Sequence, residues 1–157
     1  MGKIHLTTAI HAPAKKVFDL SRNINLHRIF SSANYETALE GITTELIKED
    51  ETVTWQAKYL LKKREFTLKI SSMEMPHHFT TQLVEGGFKN FRHEHYFKAF
   101  KNGTFLIDVV EFESSYGLIG KWIEKLFLTS YIHNLLLQRN EVIKQYAEKS
   151  KQKVIVK

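Results

Sequence analysis

The chain has 157 residues, 43% of them hydrophobic and 25% charged, and a formal net charge of +6. That length builds one domain with a sizeable core and leaves little room for a second. It contains no cysteine, which excludes a disulfide framework, a thiolate metal site and a cysteine nucleophile. The positive charge invites nucleic acid or an anionic membrane, but Lys and Arg are interleaved with Asp and Glu through most of the chain. Its basic clusters are Lys62-Lys63-Arg64, read as a turn, and Lys149 to Lys157, read as a tail following a single domain over 1–148. No DNA partner is expected, and RNA or membrane contact is a secondary reading. The first residues lack the apolar core of a signal peptide, and no window approaches the ~20 apolar residues of a membrane span. A cytoplasmic location is therefore expected.

Lys3 to Ile10 alternates apolar and polar residues and reads as a strand. Ala12-Pro13 ends it and opens a helix whose apolar side carries Val17, Phe18 and Leu20. Asn23 to Phe30 reads as a second short helix, with Ile24 and His27 on one side. From Gly41 the period becomes two. Thr52 to Leu61 places Val53, Trp55, Ala57 and Tyr59 together, and after the Lys62-Lys63 turn Phe66, Leu68 and Ile70 face the same way. Pro76 breaks the next connection before a strand over Phe79 to Val84, and Gly86-Gly87 turns the chain again. Asn102-Gly103 is the strongest hairpin signal, because a type I′ turn needs positive φ at both central positions. Sequential strands with short turns predict an antiparallel meander. Gly117 to Tyr146 then carries a helical stripe that includes Leu118, Trp122, Leu126, Leu136 and Ile143; a helix that long and apolar must lie across the sheet.

The strand after Gly87 is the informative one. Side chains alternate across a strand, so Phe91, His93, His95, Phe97 and Ala99 share one face and Arg92, Glu94, Tyr96 and Lys98 the other. The second set is the solvent-loving one, which places two imidazoles on the apolar side. Buried polar groups need partners, a ligand or a metal. A two-residue Asn102-Gly103 turn sets Phe97 opposite Asp108 and brings that carboxylate onto the same wall, a diagonal step from His95.

Three uses of this constellation follow. Gly87, five residues and His93-x-His95 match the opening of the cupin metal motif, but the Glu that should come next is replaced by Ala99 and Phe100, and the only prolines are Pro13 and Pro76. No metal and no cofactor is expected. His93 or His95 oriented by Asp108 would make a general acid or base, although Ser31-Ser32 and Ser114-Ser115 sit in no nucleophile motif. Alternatively these groups are the few orienting polar contacts of an apolar pocket, or simply satisfied core residues.

The order of elements, together with Ile10-His11-Ala12-Pro13 through Val17-Phe18-Asp19-Leu20, Val53-Thr54-Trp55-Gln56-Ala57, Pro76-His77-His78-Phe79, His93-Glu94-His95-Tyr96-Phe97 and Gly117-Leu118-Ile119-Gly120, resembles the SRPBCC superfamily (START, Bet v 1-like, polyketide cyclase/dehydrase proteins). The resemblance spans residues 3 to about 148 and is similar to its bacterial ligand-binding members of unassigned substrate. It implies an α+β helix-grip fold, in which a curved antiparallel sheet wraps a long C-terminal helix over a deep cavity, with two short helices after the first strand. The residues expected around that cavity are His27, Trp55, Tyr59, Phe66, Leu68, Phe79, Phe91, His93, His95, Phe97, Asp108, Trp122 and Leu126. The implied partner is a small hydrophobic or aromatic ligand. The alternatives are an aromatase/cyclase- or hydratase-type enzyme using His93 or His95 with Asp108, and a protein, RNA or membrane interaction module. No catalytic residue set is shared across the superfamily, so none carries over.

Overall fold

The computed structural model of the chain describes residues 2–24, 26, 37–41, 46–59, 62–115, 117, 122 and 127–155. The first strand, β1 (Gly2–Ile10), buries Ile4 and Ile10 and exposes Lys3, His5, Thr7 and Ala9, as its alternation requires. Pro13 stands at the N-cap of α1 (Ala14–Ser21) with φ −60°, a position where its missing N–H costs nothing. Helix α1 buries Val17, Phe18 and Ser21. Of the second short helix expected over Asn23–Phe30, residues 25 and 27–30 lie outside the described residues. Asn23 itself makes an isolated bridge to Leu46, and its Oδ1 accepts the Leu26 N–H at 3.1 Å.

Six further strands follow: β2 (Thr37–Gly41), β3 (Thr52–Tyr59), β4 (Lys62–Glu74), β5 (His78–Glu85), β6 (Phe88–Phe100) and β7 (Gly103–Ser114). They form a seven-stranded antiparallel sheet in the order β1-β7-β6-β5-β4-β3-β2. The meander from β2 to β7 is the one read from the sequence, and β1 extends it beyond β7. Register shifts at Thr67/Leu68 and Ile70/Ser72 are bulges, which bend a strand and increase its twist. The last helix, α2 (Thr129–Ile155), packs against β1 and α1 and continues through residues read as a tail. This is the α+β helix-grip fold.

Two turns differ from expectation. Phe100 pairs with Gly103, so Lys101-Asn102 forms the hairpin turn, and neither Asn102 nor Gly103 has positive φ. Gly103 serves a different purpose: a Cβ there would collide with the backbone carbonyl of Ile10 at the end of β1. The register moves by two residues, so faces are preserved and His95, not Phe97, lies opposite Asp108. Lys62 and Lys63 belong to β4, paired with Tyr59 and Lys58, and the reversal falls between Tyr59 and Lys62. That register sets Phe66 opposite Trp55, an aromatic cross-strand pair of the kind that stabilises a sheet.

The core has two lobes. One gathers Ile10, Phe18, Phe79, Phe97, Leu106, Ile143 and Ala147; the other gathers Ile4, Val110, Phe112, Leu128, Ile132 and Leu136. Each structural line crosses from one lobe to the other through polar residues. On β7 the order is Leu106, Asp108, Val110; on α2 it is Ile143, then Asn140 and Arg139, then Leu136. The seam between the lobes is therefore polar.

Candidate functional site

Four elements build this seam. Strand β6 presents His93 and His95, β7 presents Asp108 directly opposite His95, and β5 presents Thr81 opposite His93. Helix α2 closes the arrangement from above with Arg139 and Asn140. All five of His93, His95, Asp108, Arg139 and Asn140 are buried, and Asp108 has 0% exposure.

Asp108 is the hub. Its Oδ1 accepts from His93 Nε2 at 2.7 Å and from Arg139 Nη1 at 3.3 Å, and its Oδ2 accepts from Asn140 Nδ2 at 2.6 Å. Asn140 also donates to Thr8 Oγ1 at 3.1 Å, while its Oδ1 accepts from Arg139 Nη1 at 3.0 Å. Burial alone would raise the Asp108 carboxyl, but hydrogen bonds from His93 and His95 and the Arg139 charge outweigh it and hold the group well below the ordinary carboxylate range. Burial pushes both imidazoles the other way from protonation: His93 below its usual value, and His95 well below, helped by the neighbouring His93. Burial also lowers Arg139, although a guanidinium stays cationic in proteins. The site at neutral pH therefore holds one anion, one cation and two uncharged imidazoles.

The tautomer of His93 follows from these contacts. Asp108, ionised, only accepts, so neutral His93 carries its proton on Nε2 and its lone pair on Nδ1. Nδ1 of His95 lies 3.3 Å from both Arg139 Nη2 and Asp108 Oδ1. That nitrogen faces a donor and an acceptor at the same distance, and Nε2 lies 3.4 Å from the Thr81 hydroxyl, which can donate or accept, so these contacts leave both neutral tautomers of His95 open. The two imidazoles lie tilted at 31° with ring centroids 3.6 Å apart, and Phe79 stacks on His95 at 4.1 Å.

The histidines border a hollow of about 240 Å³ between sheet and helix. Its wall contains Trp55 from β3; Phe66, Leu68 and Ile70 from β4; Phe79 and Leu83 from β5; Phe88 and Phe91 from β6; and Tyr131, Ile132, Leu135 and Leu136 from α2. The polar groups on this wall include Thr81, His93, His95, Arg139, Ser21 and Arg22. Arg22 is held by Asp19 Oδ1 and the Ile47 carbonyl.

Of the residues expected around the cavity, Trp55, Phe66, Leu68, Phe79, Phe91, His93 and His95 line the hollow. Asp108 sits behind the histidines, outside the lining. Phe97 packs edge-on against Phe18 in the neighbouring core lobe instead. Trp122 is 67% exposed, so it does not serve as a wall. His27, Leu126 and the side chain of Tyr59 lie outside what is described. Sequence reasoning missed Thr8, Thr81, Arg139 and Asn140. A signal for the last two existed: Ile132, Leu136, Ile143 and Ala147 are spaced as one buried helical stripe, and Arg139-Asn140 fill its gap.

His93, His95 and Asp108 also bring three ligand-type atoms within 4.8 Å of one another, a donor set that suits divalent ions. The guanidinium of Arg139 already contacts Asp108 Oδ1 and His95 Nδ1. A metal would have to displace the cation around which the hydrogen bonds are organised, so this donor set does not fit one.

The chain has the fold of START and Bet v 1-like proteins. Its structure superposes on the protein TTHA0849 of Thermus thermophilus with a TM-score of 0.73 at 17% identity, covering 90% of this chain and 97% of the other. A START superfamily protein of Mycobacterium smegmatis gives 0.66 at 12% identity, covering 94% and 97%. Major latex-like protein 151 of Panax ginseng gives 0.65 at 14% identity, covering 93% and 97%. No protein-family model and no curated protein matches the sequence. Among the described residues no helix is long and apolar enough to cross a membrane.

Proposed function

We propose that the protein binds a small, largely apolar molecule in the hollow between sheet and helix. The observation that carries this reading is a buried, mutually hydrogen-bonded polar cluster set into a wall of aromatic and aliphatic side chains. Ligand sites have this composition, mostly hydrophobic with a few fixed polar groups. The volume is small beside the usual range of about 300–1,000 Å³, which suits a ligand of roughly two fused rings. Naphthalene is then expected to bind saturably at one molecule per chain, changing Trp55 fluorescence, with binding abolished by the filling substitution Leu68→Trp when followed by calorimetry. Absence of saturable binding to the unaltered protein, or binding unchanged by Leu68→Trp, would overturn the reading.

One observation favours a second reading, acid–base catalysis of a cyclisation, dehydration or hydration. The 2.7 Å His93–Asp108 bond fixes the tautomer and leaves a basic Nδ1, the usual means of arming a histidine. Under that reading His93→Gln lowers turnover by about 10²-fold or more while leaving naphthalene binding in place. Recovery of every bound compound chemically unchanged would rule it out.

A further inference from the structure

The polar wall has unspent hydrogen-bonding capacity of a particular kind. Arg139 has five N–H donors. Two on Nη1 go to Asp108 and Asn140, and one on Nη2 goes to His95. Its Nε–H and the second Nη2–H have no partner among the described residues, and Nε is not among the fully buried unsatisfied atoms. Nδ1 of His93 is in the same position, since Nε2 is committed to Asp108. Both residues are over nine-tenths buried and both line the hollow. The wall therefore offers a free donor and a free acceptor, on two side chains that converge on the same Asp108 oxygen.

Charge decides what those two atoms take. Arg139 is already paired with Asp108, and Arg22, also on the wall, is paired with Asp19. An anionic ligand would enter a site whose cations are neutralised and would meet no net compensating charge, which makes its burial costly. An uncharged hydroxyl suits both free groups at once, because its oxygen accepts from Arg139 while its O–H donates to His93 Nδ1. A phenol-type hydroxyl, being the more acidic, donates better than an alcohol. An ether supplies only the acceptor, and a hydrocarbon leaves both buried groups unpaired. Sites built to hydrogen-bond a hydroxyl reject analogues lacking it by large factors.

We propose that the hollow selects uncharged aromatic ligands carrying a hydroxyl, held between Arg139 and His93 Nδ1. This inference rests on the apolar-ligand reading above, and the probes separate the two. Binding of 2-naphthol, 2-methoxynaphthalene, naphthalene and 2-naphthoate to the unaltered full chain is measured at pH 7.5 by calorimetry. The expected result is that 2-naphthol binds at least about tenfold more tightly than each of the other three, as the loss of a paired buried group implies. His93→Phe should remove the preference, bringing the ratio of 2-naphthol to naphthalene affinity to about one. If all four bind alike, or 2-naphthoate binds best, the hydroxyl selection is wrong and the cavity reading stands. If none binds, both fall. Should His93→Phe fail to fold, the four affinities of the unaltered protein decide the matter alone.

Discussion

The same three groups, a histidine beside a carboxylate with an arginine in attendance, occur on both faces of β6. Inside, His93 meets Asp108 at 2.7 Å with Arg139 behind it. Outside, His78 lies 3.9 Å from Glu94, and Arg92 holds Glu94 at 2.8 Å. Each face even stacks an imidazole on an aromatic ring, His95 on Phe79 inside and His78 on Tyr96 outside. The side-chain exposures differ: 0% for Asp108 against 24% for Glu94, and 8% for Arg139 against 43% for Arg92. The inner ions cannot trade their partners for water, so every hydrogen bond there is obligatory. The outer ones can. A constellation of given chemistry is therefore a site or a surface feature according to which side of the strand it occupies.

The largest effect expected from this contrast is at Asp108. Asp108→Asn leaves Arg139 buried with no counter-ion, and breaking a buried pair on one side costs about 3–5 kcal/mol. Urea denaturation measures it, and a loss below about 1 kcal/mol would mean the inner cluster is no more demanding than the outer. Acidification is expected to act on the same cluster in two stages. Folded His93 and His95 titrate below the unfolded value of about 6.5. Between the two values the unfolded chain binds more protons, so their contribution is complete above about pH 6.5 and falls as pH drops below it. Asp108, also depressed in the folded state, contributes fully above about pH 4 and loses that contribution as pH falls through its folded pKa. Thermal melts from pH 8 to pH 3 should show the first decline beginning near pH 6.5; an unchanged Tm down to pH 5 contradicts neutral, buried imidazoles.

Most of this arrangement was legible on the sheet and much less of it on the helix. Period-two alternation assigned His93, His95 and Asp108 to one face, and it survived a turn misplaced by one residue because that moves the pairing by two, and an even shift keeps the faces. It could not say which residue faces which, since that depends on where the hairpin reverses, and Gly103 is a glycine for the sake of Ile10 and not for turn φ. Arg139 and Asn140 were missed because a polar pair inside an apolar stripe looks like an interruption of it. Only the tertiary fold, by crossing α2 over β7, turns that interruption into the complement of Asp108. Trp122 erred in the opposite sense: its place in the stripe suggested burial, but it is 67% exposed.

The smallest effect should come from the outer pair. Arg92 is the chief cause of the lowered Glu94 carboxyl, through their hydrogen bond, so Glu94→Gln removes an attraction that exists. Its worth is limited by water on both sides and by the entropy of holding a long arginine, and exposed pairs contribute about 0–1 kcal/mol. Glu94→Gln is therefore expected to cost below about 1 kcal/mol in urea denaturation. The salt dependence is the sharper test. The Debye length shrinks from about 8 Å at 0.15 M to about 3 Å at 1 M ionic strength, so the Glu94→Gln difference should shrink with added sodium chloride. The Asp108→Asn difference should persist, because ions do not enter a cluster with no exposed carboxylate. If the two differences respond to salt alike, burial is not what separates the faces of β6.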